Sequence, residues 1–153
     1  MIDLDSLHDF ILDAKAATYV GDGQPVLSCR EKSHDLGFSC GAYQYLDSYF
    51  GGEDFLGQEV VYHQSQPVWG MNYYGAILKP DLITGAEAGA MIKASLSKMY
   101  TEGRFLGGWE HTQHNLVYQD TSQGDMTHFT GYEWIDQDGV KVYELFYHGG
   151  LIR

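Results

Sequence analysis

The chain has 153 residues, 44% of them apolar and 14% aromatic, which suits one domain with a buried core and rules out a disordered segment. Its formal net charge of −12 and pI near 4.7 set up a field that repels a phosphate backbone, so the chain by itself is not expected to bind nucleic acid. Solubility alone accounts for such a charge, and a cationic ligand or a basic partner protein are the functional alternatives.

The first element in chain order is a helix. Ser6 is expected to cap it, with Asp9 completing a capping box, and Leu7, Phe10, Ile11, Ala14 and Ala17 recur at helical spacing. Gly21-Asp22-Gly23 and Pro25 are expected to end it. From Pro25 to Phe50 the pattern is that of strands, with Tyr43, Tyr45 and Tyr49 on one alternation face, closing on the turn Gly51-Gly52-Glu53-Asp54. Residues 55–63 form the next expected strand, 64–67 a turn and 68–77 its hairpin partner. Thr84 and Glu87 make a capping box for a second helix whose inner face is Ala88, Met91, Ile92, Ser95, Leu96 and Met99. Gly103 and Gly107-Gly108 punctuate its end, and three strands follow near 108–120, 126–135 and 140–148, the last pair turning at Gln137-Asp138-Gly139.

The two hairpins echo one another. Phe55-Leu56-Gly57-Gln58-Glu59 returns as Phe129-Thr130-Gly131-Tyr132-Glu133, and the Val68 to Gly75 run returns as Val142 to Gly149, every match at a spacing of 74 residues. Six of the 21 aligned columns are identical, including Glu59/Glu133 and Tyr73/Tyr147. The echo is read either as a duplication or as two hairpins that look alike. The expected fold is α+β: a single domain over 1–153, with half-units 1–78 and 79–153, each a helix on an antiparallel meander. Joined, they would make one curved sheet or partial barrel with the helices on one face.

Strand alternation puts Glu59 and Glu133 on otherwise apolar faces, between Phe-x-Gly and Val or Ile. A carboxylate there must be hydrogen-bonded, paired, protonated or turned to a wet cavity. The candidate ligand site is therefore Glu59 and Glu133 with Trp69, Tyr73, Tyr143, Tyr147 and His148, for a small, cationic or aromatic ligand between the two halves. Each of these aromatics serves equally well as core.

Two other function classes stay open. One is an enzyme with Glu59 or Glu133 as general acid or base and His148 or His63 nearby. The other is a homodimer or an acidic partner for a basic protein. No HExxH, CxxC, GxSxG, P-loop or dinucleotide fingerprint occurs, so no metal and no cofactor is expected. A metal site assembled from His63, His148 and Glu133 has no local signature. Cys29 and Cys40 make no disulfide framework, the start Met1-Ile2-Asp3-Leu4-Asp5 shows no signal peptide, and no run of about 18 apolar residues occurs. A cytoplasmic protein outside the membrane is expected.

Several segments together resemble a bacterial domain family of unknown function. They are Phe10 to Tyr19, Ser33-His34-Asp35-Leu36, Tyr49 to Glu59, Pro67-Val68-Trp69-x-Met71-Asn72-Tyr73-Tyr74-Gly75, and Tyr143-Glu144-x-x-Tyr147-His148-Gly149-Gly150. The family occurs alone or as the C-terminal part of regulators with an N-terminal helix-turn-helix of the XRE type. The resemblance carries no catalytic residues. It implies a sensory role, because a domain appended to a DNA-binding module is often a sensor of small molecules.

Overall fold

The computed structural model describes residues 2–21, 23 and 25–153. Helix α1 (Leu4–Ala17) begins earlier than expected, because Asp3 rather than Ser6 is its cap: the Asp3 carboxylate accepts from the backbone N–H of Ser6 at 3.3 Å. This start sets Leu7 a full turn inside the helix, where it is fully buried. The helix also stops before the expected glycines, at Thr18, whose N–H and Oγ1 both bond the Ala14 carbonyl, at 2.9 and 2.7 Å. Asp22, in the expected terminator, lies outside the described residues.

Four strands follow, β1 (His34–Cys40), β2 (Tyr43–Gly51), β3 (Phe55–His63) and β4 (Gln66–Ile77). Helix α2 (Gly85–Thr101) starts on the expected Thr84/Glu87 capping box. Four more strands complete the chain: β5 (Trp109–Gln113), β6 (Leu116–Asp125), β7 (His128–Gln137) and β8 (Val140–Leu151). The expectation of three strands here is corrected. The stretch read as one strand over 108–120 is a hairpin that turns at His114 (φ 55°) and Asn115, with neither glycine nor proline to mark it.

All eight strands form one antiparallel sheet in the order β1-β2-β3-β4-β8-β7-β6-β5. It is open, with β1 and β5 as edges, and does not close into a barrel. Among the described residues, the strands of the two meanders pair only at β4 with β8, at the middle of the sheet.

The hairpins β3–β4 and β7–β8 match in detail. Each closes through two residues of positive φ, Gln64 (50°) and Ser65 (65°) in the first, Asp138 (49°) and Gly139 (80°) in the second. Such turns twist with the strands they join. Each hairpin also has one register break, after Val61 and after Ile135. Gln64-Ser65 lacks the Asn-Gly or Asp-Gly signature of this turn, which is why the sequence places the turn too far along, over 64–67.

Both helices cover one face of the sheet. Leu7, Ile11 and Ala14 of α1 and Ala88, Met91, Ile92 and Met99 of α2 join Tyr45, Val61, Trp69, Tyr118, Phe129, Ile135 and Tyr143 in one core. Full burial of a large apolar side chain contributes roughly 1.5–3 kcal/mol. Among the described residues no element covers the opposite face, and there Leu56, Tyr74 and Phe146, at 55%, 50% and 56% exposure, line up across three adjacent strands.

Candidate functional site

Alternation turns Gly57, Glu59 and Val61 of β3 and Tyr45, Asp47 and Tyr49 of β2 toward the helices. The register sets Asp47 directly opposite Glu59, and in the second meander it sets Asp120 directly opposite Glu133. Directly opposed side chains stand roughly 5 Å apart, where like charges repel. All four carboxylates are buried, at 4–7% exposure, so each needs compensation.

The two glutamates find it in different ways. Glu133 accepts hydrogen bonds from the phenols of Tyr118 at 2.5 Å and Tyr143 at 2.9 Å. At the matching place in the first hairpin Trp69 stands where the second has Tyr143, and its Nε1 donates instead to the Met126 carbonyl at 2.9 Å. Glu59 takes a cation in place of the phenols: Lys15 of α1 reaches both its oxygens, at 2.8 and 2.6 Å. Lys15 Nζ also lies 5.6 Å from the Phe105 ring centroid and 6.0 Å from that of Trp69.

The two aspartates are held alike. Tyr73 donates its hydroxyl to Asp47 at 2.6 Å, and Tyr147 donates to Asp120 at 3.1 and 3.0 Å. Each tyrosine reaches its aspartate across a glycine of the strand between, Tyr73 over Gly57 and Tyr147 over Gly131. A β-carbon at either glycine would overlap the ring. The Phe-x-Gly-x-Glu run thus has a local cause: the glycine clears the path of the phenol, and the glutamate two residues on flanks the carboxylate that the phenol holds.

Between this face and the helices lies a cavity of about 290 Å³, lined by Asp47, Glu59, Asp120 and Glu133, by Lys15, and by Tyr19, Tyr73, Tyr100, Tyr143 and Tyr147 among others. Four buried carboxylates thus share the cavity with one lysine ammonium, that of Lys15. Burial, then the neighbouring Glu59 charge, push Asp47 up to about 7 against the pull of Tyr73 and Lys15. Burial, then Glu133, push Asp120 up to about 7 in the same way. Burial also raises Glu133, opposed by its two phenol donors. The phenols of Tyr19, Tyr73, Tyr100, Tyr143 and Tyr147 are raised by burial first and by the carboxylates second, so they stay protonated donors. Chemically the cavity can strip water from a cation, accept its hydrogen bonds and stack its apolar part on phenol rings.

Of the residues expected at the site, Glu59, Glu133, Tyr73, Tyr143 and Tyr147 line the cavity. Trp69 does not: it is fully buried in the core, stacked on Phe129 with ring centroids 5.9 Å apart. His148 does not either, because Tyr147 faces the cavity and the next residue along a strand faces away; His148 is exposed on the uncovered face, opposite Asn72. His63 packs against Tyr43, the rings tilted at 46° with centroids 4.6 Å apart, and does not line the cavity; among the described residues no three His, Cys, Asp or Glu side chains are placed to hold a metal. His111 packs on α2, its Nδ1 2.9 Å from Ser95 Oγ.

Asp47, Asp120 and Lys15 belong to the cavity and were not among the expected residues. Signals for two of them exist. Asp47 falls in the Tyr43, Tyr45, Tyr49 alternation, and Lys15 lies four residues after Ile11 and eight after Leu7, on the apolar stripe of α1. Among the described residues no helix is long and apolar enough to cross a membrane.

A family model described as a domain of unknown function, DUF5680, matches residues 47–152, and the chain belongs to that family. The match begins at Asp47 and takes in the whole sheet from there on, so α1 with Lys15 lies ahead of it. No curated protein and no solved structure matches the chain.

Proposed function

We propose that this member of the DUF5680 family is a non-catalytic binding module that holds a small molecule in the cavity between its sheet and its helices. One observation carries the reading: a cavity of about 290 Å³ with four buried carboxylates and a wall of phenols. Carboxylates are costly to bury, and a core without a ligand has no need of four together. Glu59 and Glu133 orient the ligand, and Tyr73, Tyr143 and Tyr147 line its place. Neither His63 nor His148 lines the cavity, so an acid–base site that pairs Glu59 or Glu133 with one of those histidines lacks its histidine. The shared turn, register break and glycine–tyrosine contact at one spacing support reading the two hairpins as copies of one unit. The resemblance to domains that follow helix-turn-helix modules supports a sensory role inside the cell.

The test is a thermal-melting screen of a small-molecule library against the wild type, Glu59→Gln and Glu133→Gln. A ligand at a hundred times its dissociation constant stabilises by about 2.7 kcal/mol, which a melting curve resolves. The expected hits raise the melting temperature of the wild type and lose most of that effect in the variants. Shifts that survive both substitutions remove the glutamates from the reading, and a library without hits removes the reading itself.

A second reading, a homodimer through the uncovered sheet face, is favoured by the exposed row of Leu56, Tyr74 and Phe146. Sedimentation over a concentration series tests it, and a monomer throughout ends it.

A further inference from the structure

Among the described residues the cavity has one identifiable entrance. Of all its lining residues only His34, Gly51, Gly52 and Glu53 are exposed, and they cluster at the β2–β3 turn and the adjoining end of β1. The first turns of α2 form the opposite lip. A β-carbon on Gly85 would meet Glu53 Cγ at 3.2 Å, so helix and turn touch at that point.

Gly89, one turn further along α2, is different. It lines the cavity, yet a β-carbon there would find no atom within 4 Å. Packing does not require a glycine at this place, and glycine weakens a helix. Close approach of a ligand to the backbone is the remaining use of a residue without a side chain.

Going inward from this mouth, β2 presents Tyr49 and then Asp47. Asp47 is 4% exposed and takes the Tyr73 hydroxyl on one oxygen; among the described residues no donor reaches its other oxygen. Lys15 is already engaged by both oxygens of Glu59. The first buried carboxylate inside the mouth therefore has no cation of its own.

We infer that the cavity admits an organic cation through this mouth, an ammonium head carrying an apolar or aromatic body, and seats the head on Asp47. The inference rests on the binding-module reading and gives it a ligand class, a route and a recognition residue. Glu53 at the rim adds attraction for the incoming charge, Tyr49 and Tyr73 flank its path, and Gly89 leaves room for its body. Because burial and Glu59 hold Asp47 at about 7, seating a cation there expels a proton near neutral pH, and affinity rises with pH. The charged and titratable groups facing Asp47 are Lys15 from α1, Tyr19 just beyond it, Asp35 from β1, Glu59 from β3 and Tyr73 from β4, with Tyr45 and Tyr49 on its own strand. Among these, Lys15 stays bound to Glu59.

The experiment is calorimetric titration with two probes of one shape, 1-naphthylmethylamine, a cation, and 1-naphthylmethanol, which is neutral. At pH 8 the wild type is expected to bind the amine at least tenfold more tightly than the alcohol. Asp47→Asn should erase most of that preference by weakening the amine alone. Gly89→Leu should abolish binding of both probes while the melting temperature holds or rises. Should Asp47→Asn fold poorly, the wild type serves instead: its preference for the amine should fall at least tenfold from pH 8 to pH 5.5. Equal affinity for the two probes, or a preference that ignores pH, overturns the inference and leaves the cavity reading in place. If neither probe binds while other library compounds shift the melting curve, the inference alone is overturned. If nothing in the library shifts it, both readings go.

Discussion

The ring of Tyr73 lies so close against Gly57 that a β-carbon on residue 57 would overlap it, and that contact lets the phenol cross β3 to Asp47. Tyr147 repeats the arrangement over Gly131 to reach Asp120. Local packing and the placing of a buried carboxylate are thus one device, used twice.

Replacing Gly57 with alanine should force the ring aside and strand Asp47. The expected loss is about 1–3 kcal/mol of unfolding free energy, read from urea denaturation. Gly52→Ala is the control, since a β-carbon there meets nothing within 4 Å; it should change stability by no more than about 0.5 kcal/mol. Equal effects from the two substitutions would refute the account.

Lys15→Met should cost about 3–5 kcal/mol, because it leaves a buried Glu59 without its cation. The double variant Lys15→Met with Glu59→Met should recover most of the loss, since paired apolar replacements spare the desolvation of both charges. A double-mutant cycle by denaturant titration reads the coupling. A single-variant cost below about 1 kcal/mol would mean that the pair is not what holds Glu59.

Stability should fall as pH rises from 5 to 8. Asp47 and Asp120 are raised from 3.8 to about 7 in the folded chain, so between those values the folded state binds more protons than the unfolded. Their contribution is fully present below 3.8 and lost on passing through 7. Asp35 acts in the opposite sense and in a different window. Burial opposes its charge, but donors from Cys29, Ser33 and Ser48 hold it well below the usual carboxylate range, so its contribution is lost only in stronger acid. Melting curves at half-unit intervals should show the decline, and Asp47→Asn should flatten it. A melting temperature constant from pH 5 to pH 8 would contradict the assignment.

His148→Ala should leave stability within about 0.5 kcal/mol and leave the melting shift of any cavity ligand unchanged, since the side chain is exposed on the far face. Tyr147→Phe, one residue earlier, should lower the same shift by removing the hydroxyl held by Asp120. If the two variants change ligand response equally, the assignment of faces on β8 is wrong.

Alternation and turn chemistry made β3 and the start of α2 legible to the residue, because Phe55–His63 alternates cleanly and Thr84/Glu87 is a complete capping box. The β5–β6 hairpin was hidden because His114-Asn115 takes a tight turn without glycine or proline. Asp3 and Ser6 are both good cap residues, and the residue types do not decide between them. At the site, Glu59 and Glu133 stood out as acids among apolar neighbours. Lys15 did not, because a lysine on an apolar stripe usually carries its ammonium out to water. Asp47 is charged beside tyrosines, but only the register of β2 on β3 reveals its acidic neighbour. Alternation from Tyr147 sends His148 to the other face, so its place off the cavity is legible in the sequence too.

The strand order has a consequence for how this chain is assembled. β8 comes last of the eight strands in sequence, yet it closes the centre of the sheet, pairing with β4 on one side and β7 on the other. Until β8 docks, β4 offers a bare edge twelve residues long. The two meanders are built from local pairings and can form early, while the seam must wait for contacts between residues more than seventy positions apart, such as Tyr73 with Tyr147. The same ladder is satisfied if two molecules exchange their final strands. The seam that unites the sheet is also where crowded, newly made chains can become entangled.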